Sequence, residues 1–319
     1  MDEFELIDRW FRQSAVARDD VALGIGDDAA IVSLRPGERL VAAVDTLVAG
    51  RHFPAWFSPW EIGYRALAVN LSDLAAMGAE PRWALLALTL PRADAAWLDD
   101  FSAGFSELAV RYRVSLIGGD TTQGPLTISV TLLGACDQAL TRAGARVGDA
   151  VFVTGTLGDA ALALDDQTQT PSARELRAHF ARPEPRVEAG LALRDLAHAA
   201  IDVSDGLLGD LGHILRASGV GARIDAHALP LSATARASVP LERAILAAAT
   251  GGDDYELLLT APPDRAATIF ERLAAIACPV SRIGTIVEGA AAELIGVDGQ
   301  PLRIERAGFQ HFSSGVDAR

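Results

Sequence analysis

The sequence predicts a two-domain α/β (α+β) protein, and three observations carry that expectation. Apolar, β-branched runs alternate with helical patterns along the chain. The alternation breaks once, over the polar, Gly-containing stretch Cys136–Asp149, and then resumes. Half of the 319 residues are hydrophobic, enough for two medium cores.

In chain order, strands are expected at Val21–Ile25, Ala29–Leu34 and Leu40–Asp45. Ser58-Pro59-Trp60-Glu61 is a helix start, with Ser as N-cap, Pro at the first position and Glu closing a capping box. That helix should run to Met77 and stop at Gly78. Asp94 can cap a second helix reaching Tyr112, and strands Trp83–Leu90, Val114–Ile117 and Leu126–Leu133 complete a ferredoxin-like or related two-layer first domain. The division places this domain at 1–136, a linker at 137–148 and a second α/β domain at 149–319. There, strand Ala150–Thr154 precedes several helices over Asp159–Ala199, then strand Ala200–Val203 and a helix from Gly206 to Ser218. Further strands are expected near Ala222–Asp225, Tyr255–Thr260 and Ser281–Ile286.

Composition excludes several classes of function. A formal net charge of -14 disfavours nucleic acid and anionic membranes as partners. All 28 basic residues are Arg, so a Schiff-base Lys, a catalytic Lys and a P-loop Lys are ruled out. Positive charge for binding phosphates must then come from Arg and metal ions. Cys136 and Cys278 lack paired spacing, which argues against a disulfide framework or a zinc site and suits a reducing compartment. Met1 to Arg12 is acidic and amphipathic and does not read as a signal peptide, and no apolar run would span a bilayer. A cytoplasmic location is expected.

Aspartates gather at strand ends and helix starts: Asp27, Asp28, Asp45, Asp73, Asp120, Asp202, Asp205, Asp253 and Asp254. Any one alone is more often a turn or capping residue. Most, however, are flanked by apolar sequence, where a carboxylate is costly to desolvate unless paired or metal-bound. Without Lys to neutralise them, these hard oxygen donors point to divalent cations, magnesium first. Asn70 and Asp73 project from one face of the capped helix. The glycines at 118–119, 155, 158 and 251–252 sit at strand–loop junctions where bare backbone can approach phosphate oxygens.

Taken together, these segments resemble the thiamine-monophosphate kinase family across nearly the whole chain. The matching pieces are Gly-Ile-Gly-Asp-Asp-Ala-Ala (24–30), Val-Asp-Thr-Leu-Val-Ala-Gly-Arg-His-Phe (44–53), Ala-Leu-Ala-Val-Asn-Leu-Ser-Asp-Leu-Ala-Ala-Met-Gly-Ala (66–79) and Leu-Ile-Gly-Gly-Asp-Thr-Thr (116–122). Arg-Pro-Glu-Pro-Arg (182–186), Ile-Asp-Val-Ser-Asp-Gly-Leu (201–207), Gly-Gly-Asp-Asp-Tyr-Glu-Leu (251–257) and Gly-Phe-Gln-His-Phe (308–312) follow.

The resemblance implies an aminoimidazole ribonucleotide synthetase-like fold and a homodimer whose N-terminal domains join sheets. It also implies ATP with several magnesium ions held between the domains. By motif match, Asp28, Asp45, Asp73, Asp120, Asp202 and Asp205 would hold metal, with Ala43 and Val44 contributing main-chain carbonyls where the family often has Ser or Thr. Gly119, Asp120, Arg142 and Ser204 would contact ATP. His52, Asp253 and Phe309 would contact thiamine monophosphate; Asp253 stands where the family more often has Glu, and Phe309 replaces a more polar aromatic.

The implied reaction is ATP-dependent, magnesium-assisted in-line phosphorylation of thiamine monophosphate to thiamine diphosphate, with no residue acting as general base. A selenophosphate synthetase would want a reactive Cys near the N-terminus, and a hydrogenase-maturation protein a C-terminal Cys; this chain ends Ser-Gly-Val-Asp-Ala-Arg. A non-catalytic metal- or nucleotide-binding protein remains an open alternative.

Overall fold

The structure is a computed structural model, and it describes residues 3–166, 168–304 and 307–308. The chain divides into two compact units, Met1–Ala139 with Ala181–Arg194, and Leu140–Phe180 with Asp195–Arg319.

In the first unit, α1 (Glu3–Leu6) runs into a π-helical turn over Ile7–Arg12, and β1 (Val21–Leu23) pairs antiparallel with β2 (Ile31–Val32). Both strands are shorter than expected, because the Gly24–Ala30 segment between them forms a loop with Gly26 at φ 121°. Then come β3 (Arg39–Val48), α2 (Pro59–Ala76), β4 (Glu80–Leu90), α3 (Ala95–Arg111), β5 (Ser115–Gln123) and β6 (Thr127–Cys136). The sheet order is β3-β6-β4-β5, antiparallel except for the β4–β5 pair.

The expected caps are present. Ser58 Oγ accepts from the Glu61 N–H at 3.2 Å while the Glu61 carboxylate accepts the Ser58 N–H at 2.8 Å, and Asp94 accepts from the N–H groups of Ala96 and Trp97. Reciprocal glycines let α2 and α3 approach closely: a Cβ on Gly63 would lie 2.0 Å from the Phe101 carbonyl, and one on Gly104 1.9 Å from that of Trp60. Those two helices form the second layer of the expected two-layer arrangement.

The second unit begins with β7 (Ala150–Thr154), α4 (Asp159–Asp165) and α5 (Pro171–Ala181). The next helix, α6 (Val187–Leu193), belongs to the first unit and packs on α2. Its Arg-Pro-Glu-Pro-Arg lead-in is a fastening: Glu184 pairs with Arg111, and the Tyr112 hydroxyl donates to the Pro185 carbonyl at 3.0 Å. Returning to the second unit, β8 (Ala199–Asp202), α7 (Leu207–Ser218), β9 (Gly221–Asp225), α8 (Ala233–Ser238), α9 (Leu241–Thr250), β10 (Leu257–Ala261), α10 (Ala266–Ala275), β11 (Val280–Val287) and β12 (Ala292–Ile295) follow. Six strands form one mixed sheet in the order β12-β9-β11-β7-β10-β8. Leu207, Leu211 and Ile214 of α7 and Ala244 and Ala248 of α9 are buried in its core with Val151, Val153, Ile201 and Leu258. The strand expected from Tyr255 starts instead at Leu257, since Tyr255 is left-handed with φ 52°.

Candidate functional site

Each unit carries part of the expected residue set. In the first, a cleft of about 1090 Å³ is lined by Ile25–Ala30, by Gly118–Thr121 of β5 and by Asp8, Phe11 and Arg12. Asp28, Gly119 and Asp120 therefore share one cavity. Gly119 must be glycine here: a Cβ would sit 1.9 Å from the carbonyl oxygen of Leu86 on the neighbouring strand. Bare backbone thus borders the cleft beside Asp120, which pairs in register with Ala87 of β4. Arg12 lies over the loop, its guanidinium 2.9 Å from where a Gly26 Cβ would stand. No local pattern pointed to Arg12, which the turn over Ile7–Arg12 delivers from a distant stretch.

A second group lies on β3 and α2. Asn70 is fully buried; its Oδ1 accepts the Asp45 N–H at 3.1 Å, and its Nδ2 donates to the Ala66 carbonyl at 3.0 Å. This explains a polar residue inside the apolar helix and ties α2, which also carries the half-buried Asp73, to Asp45. Ala43 and Val44 precede Asp45 on β3, the Val44 side chain largely exposed. His52 folds back onto the end of β3: its Nδ1 accepts the Val48 N–H at 3.0 Å, so the neutral ring carries its proton on Nε2.

In the second unit, Asp202 ends β8, buried, and the turn Val203–Gly206 leads into α7. Asp210 Oδ2 accepts the N–H groups of Ser204, Asp205 and Gly206 at 3.0, 3.0 and 3.1 Å. Burial raises the Asp210 carboxyl to about 7, and the charges of Asp202 and Asp205 add to the shift. The turn is zipped to the 251–256 segment: Asp253 N–H donates to the Ser204 carbonyl, Tyr255 N–H to that of Val203, and Val203 N–H to that of Glu256, each at 2.8 Å. Both main-chain groups of Ser204 are thereby engaged, and its hydroxyl is what it offers to a ligand.

Asp253 sits beside this turn in a left-handed conformation, φ 70°, with the Tyr255 hydroxyl donating to its Oδ1 at 3.3 Å. Asp254 points elsewhere. It is half-buried, accepts the Gly158 N–H at 2.9 Å, and desolvation pushes its carboxyl well above the usual range. Arg142 is exposed on a loop held by Ser218, whose hydroxyl donates to the Arg142 carbonyl at 3.3 Å and accepts the Gly144 and Ala145 N–H groups. Gly308, first residue of the Gly-Phe-Gln-His-Phe motif, lies against Asp205 and Gly209; Phe309 falls outside the described residues.

Reasoning from sequence missed Arg12 and Asp210. A signal for the second existed: an Asp in the first turn of a helix that follows Ser-Asp-Gly can reach back to the turn's N–H groups.

Among the described residues, no three carboxylate, imidazole or thiol groups converge as a preformed metal cage. The donors still fit magnesium, which takes one or two carboxylates together with substrate phosphates and water. Asp28 and Asp120, carboxylates on one glycine-bordered cleft, are donors of that kind.

The AIR synthase related protein N-terminal domain model matches residues 26–136 and the corresponding C-terminal domain model residues 146–297. The thiamine-monophosphate kinase of Escherichia coli (strain K12) is 44% identical over 321 residues, covering 98% of each chain. A crystal structure of thiamine-monophosphate kinase from Stenotrophomonas maltophilia K279a is 46% identical, with a TM-score of 0.87, covering 95% of this chain and 98% of its own. The solved structure "AaThiL complexed with AMPPCP and TMP" is 32% identical, with a TM-score of 0.76, covering 97% of each chain. With both domain models matched in order and near-complete coverage by such relatives, the chain belongs to the thiamine-monophosphate kinase family of AIR synthase related proteins.

Proposed function

We propose that this chain transfers the γ-phosphate of ATP to thiamine monophosphate, yielding thiamine diphosphate and ADP. The observation that carries the reading is likeness over 97% of the chain to a structure complexed with AMPPCP, an ATP analogue, and TMP. Identity of 44% to a thiamine-monophosphate kinase over 98% of the chain supports it.

In this reading the acceptor supplies its own nucleophile. A phosphate monoester has a second pKa of about 6, so its attacking oxygen is largely ionised at neutral pH and needs no protein base. Positioning and charge neutralisation carry the catalysis. Asp28, Asp45, Asp73, Asp120, Asp202 and Asp205, with the Ala43 and Val44 carbonyls, would hold magnesium, which screens the charge of the two polyanions. Gly119 would bring bare backbone to ATP, the Ser204 hydroxyl a hydrogen bond and Arg142 a fixed positive charge. His52, its Nε2 protonated, would donate to thiamine monophosphate; Asp253 and Phe309 would contact the same substrate.

We divide these roles between an N-terminal ATP- and metal-binding domain, 1–136, and a C-terminal domain, 149–319. The stretch 137–148 contains no strand or helix, which supports a linker there. We also propose a homodimer formed through the first unit. On β3, an edge strand, Leu40 and Val44 are 54% and 62% exposed on one face, an apolar surface that a second copy would cover. The cysteines are both free and buried, consistent with a cytoplasmic location, and no helix among the described residues is long and apolar enough to cross a membrane.

ATP turnover with and without thiamine monophosphate tests the reading. ADP release that requires the acceptor supports a kinase; acceptor-independent turnover, or none, overturns it. Asp120→Asn and Asp73→Asn should each nearly abolish transfer without unfolding the chain. A stable monomer at micromolar concentration by light scattering would remove the dimer.

A further inference from the structure

We infer that Asp210 is a positioning residue that presents the Ser204 hydroxyl and the Asp205 carboxylate to the magnesium nucleotide. This deepens the kinase reading and rests on it.

The geometry is unusual in what it spends. Three consecutive N–H groups, those of Ser204, Asp205 and Gly206, converge on the single oxygen Oδ2 of Asp210, whose side chain is 3% exposed. Successive N–H groups arranged this way form a nest that binds anions. A nest beside a nucleotide site is ordinarily the phosphate cradle. Here the chain fills it with its own carboxylate, so nucleotide contact passes to the side chains of Ser204 and Asp205.

The surrounding bonds fix the turn from its other side. Ser204 accepts the Asp253 N–H at 2.8 Å, and a Cβ on Gly206 would lie 2.7 Å from the Thr250 carbonyl, so the turn cannot slide towards the 250–253 segment. Asp210 closes the remaining direction from α7, two turns before Ser218 of the same helix secures the Arg142 loop. One helix thus anchors both the turn and the loop that carry the expected ATP contacts of this unit.

The test is a double-mutant cycle between Asp210→Ala and Ser204→Ala, read as affinity for magnesium AMPPCP by calorimetry and as kcat and KM for ATP. Asp210→Ala should lower kcat/KM for ATP by about a hundredfold, the scale of a misplaced contact. Ser204→Ala should then add little in that background, because the hydroxyl is already out of place. Asp210→Asn keeps an oxygen acceptor and should lie within about tenfold of wild type. Should Asp210→Ala not fold, the cycle with Asp210→Ser, whose side chain is too short to reach the three N–H groups, carries the test: the loss from Ser204→Ala should be smaller there than in wild type. Additive losses, or a folded Asp210→Ala chain with wild-type nucleotide affinity and merely reduced thermal stability, would overturn the inference. A wild-type chain that binds AMPPCP without phosphorylating thiamine monophosphate removes the kinase reading and leaves the affinity cycle decisive for Asp210. One with no nucleotide affinity overturns both.

Discussion

Two adjacent glycines of β5 should respond oppositely to the same substitution. A Cβ on Gly119 would stand 1.9 Å from the Leu86 carbonyl oxygen and 2.6 Å from its carbon, all main chain of the paired strand. Ordinary contact begins at about 3.5 Å, so Gly119→Ala must part β4 and β5 by roughly 1.6 Å beside Asp120. Overpacking of this kind costs about 1–3 kcal/mol of stability. A displacement of that size at reacting groups costs about a hundredfold or more in kcat/KM. A Cβ on Gly118 meets only the Leu85 Cδ2, at 3.2 Å, a side-chain tip that can swing away, so Gly118→Ala should cost less than about 0.5 kcal/mol and little activity. Urea unfolding and steady-state ATP and acceptor kinetics on the pair decide it. Equal behaviour of the two variants, or an active Gly119→Ala chain, would refute the close-approach account of the cleft.

Asn70→Leu should destabilise the chain by about 1–3 kcal/mol, since it removes both buried hydrogen bonds of the Asn70 amide, to the Asp45 N–H and to the Ala66 carbonyl. It should also raise the magnesium concentration required for turnover; unchanged unfolding and magnesium titrations would contradict the link from α2 to Asp45. His179, hydrogen-bonded to the buried Asp159 carboxylate at 2.5 Å, has its pKa raised by that bond above an ordinary value of about 6.5. Its stabilising contribution is therefore complete below that value and lost as pH rises through the higher folded pKa. The melting-temperature gap between wild type and His179→Gln should shrink from about pH 6 to pH 9, and a constant gap would count against it. Desolvation raises the Asp254 carboxyl, so its ionisation costs stability as pH rises, and Asp254→Asn should gain melting temperature relative to wild type from about pH 4 upwards; a deficit that grows with pH would contradict this.

Local chemistry explains which parts of this molecule the sequence revealed. Ser58-Pro59-Trp60-Glu61 and Asp94 predicted helix starts that the structure reproduces, because capping is decided within four residues. Gly118-Gly119 read as bare backbone for a phosphate and Asp28 and Asp120 as metal donors, and all four line one cleft, since a strand end and a glycine loop advertise themselves. Long-range contacts were not legible in the same way. Arg12 reaches the cleft only through tertiary packing, and α6 joins the first unit although the second unit's Leu140–Phe180 segment comes between them in the chain, something no periodicity encodes. The Tyr255 boundary failed because an apolar aromatic after Gly-Gly-Asp-Asp looks like strand, whereas the turn bonds to Val203 and Ser204 impose left-handed backbone there.

Direct transfer of the γ-phosphate from ATP to thiamine monophosphate is the central claim, and stereochemistry at that phosphorus tests it most directly. With chirally labelled ATP, one in-line displacement by the acceptor's phosphate oxygen yields thiamine diphosphate of inverted configuration, and no aspartyl phosphate accumulates when the acceptor is withheld. Inversion is the result predicted here. Retention, or a trapped phosphoenzyme, would contradict it.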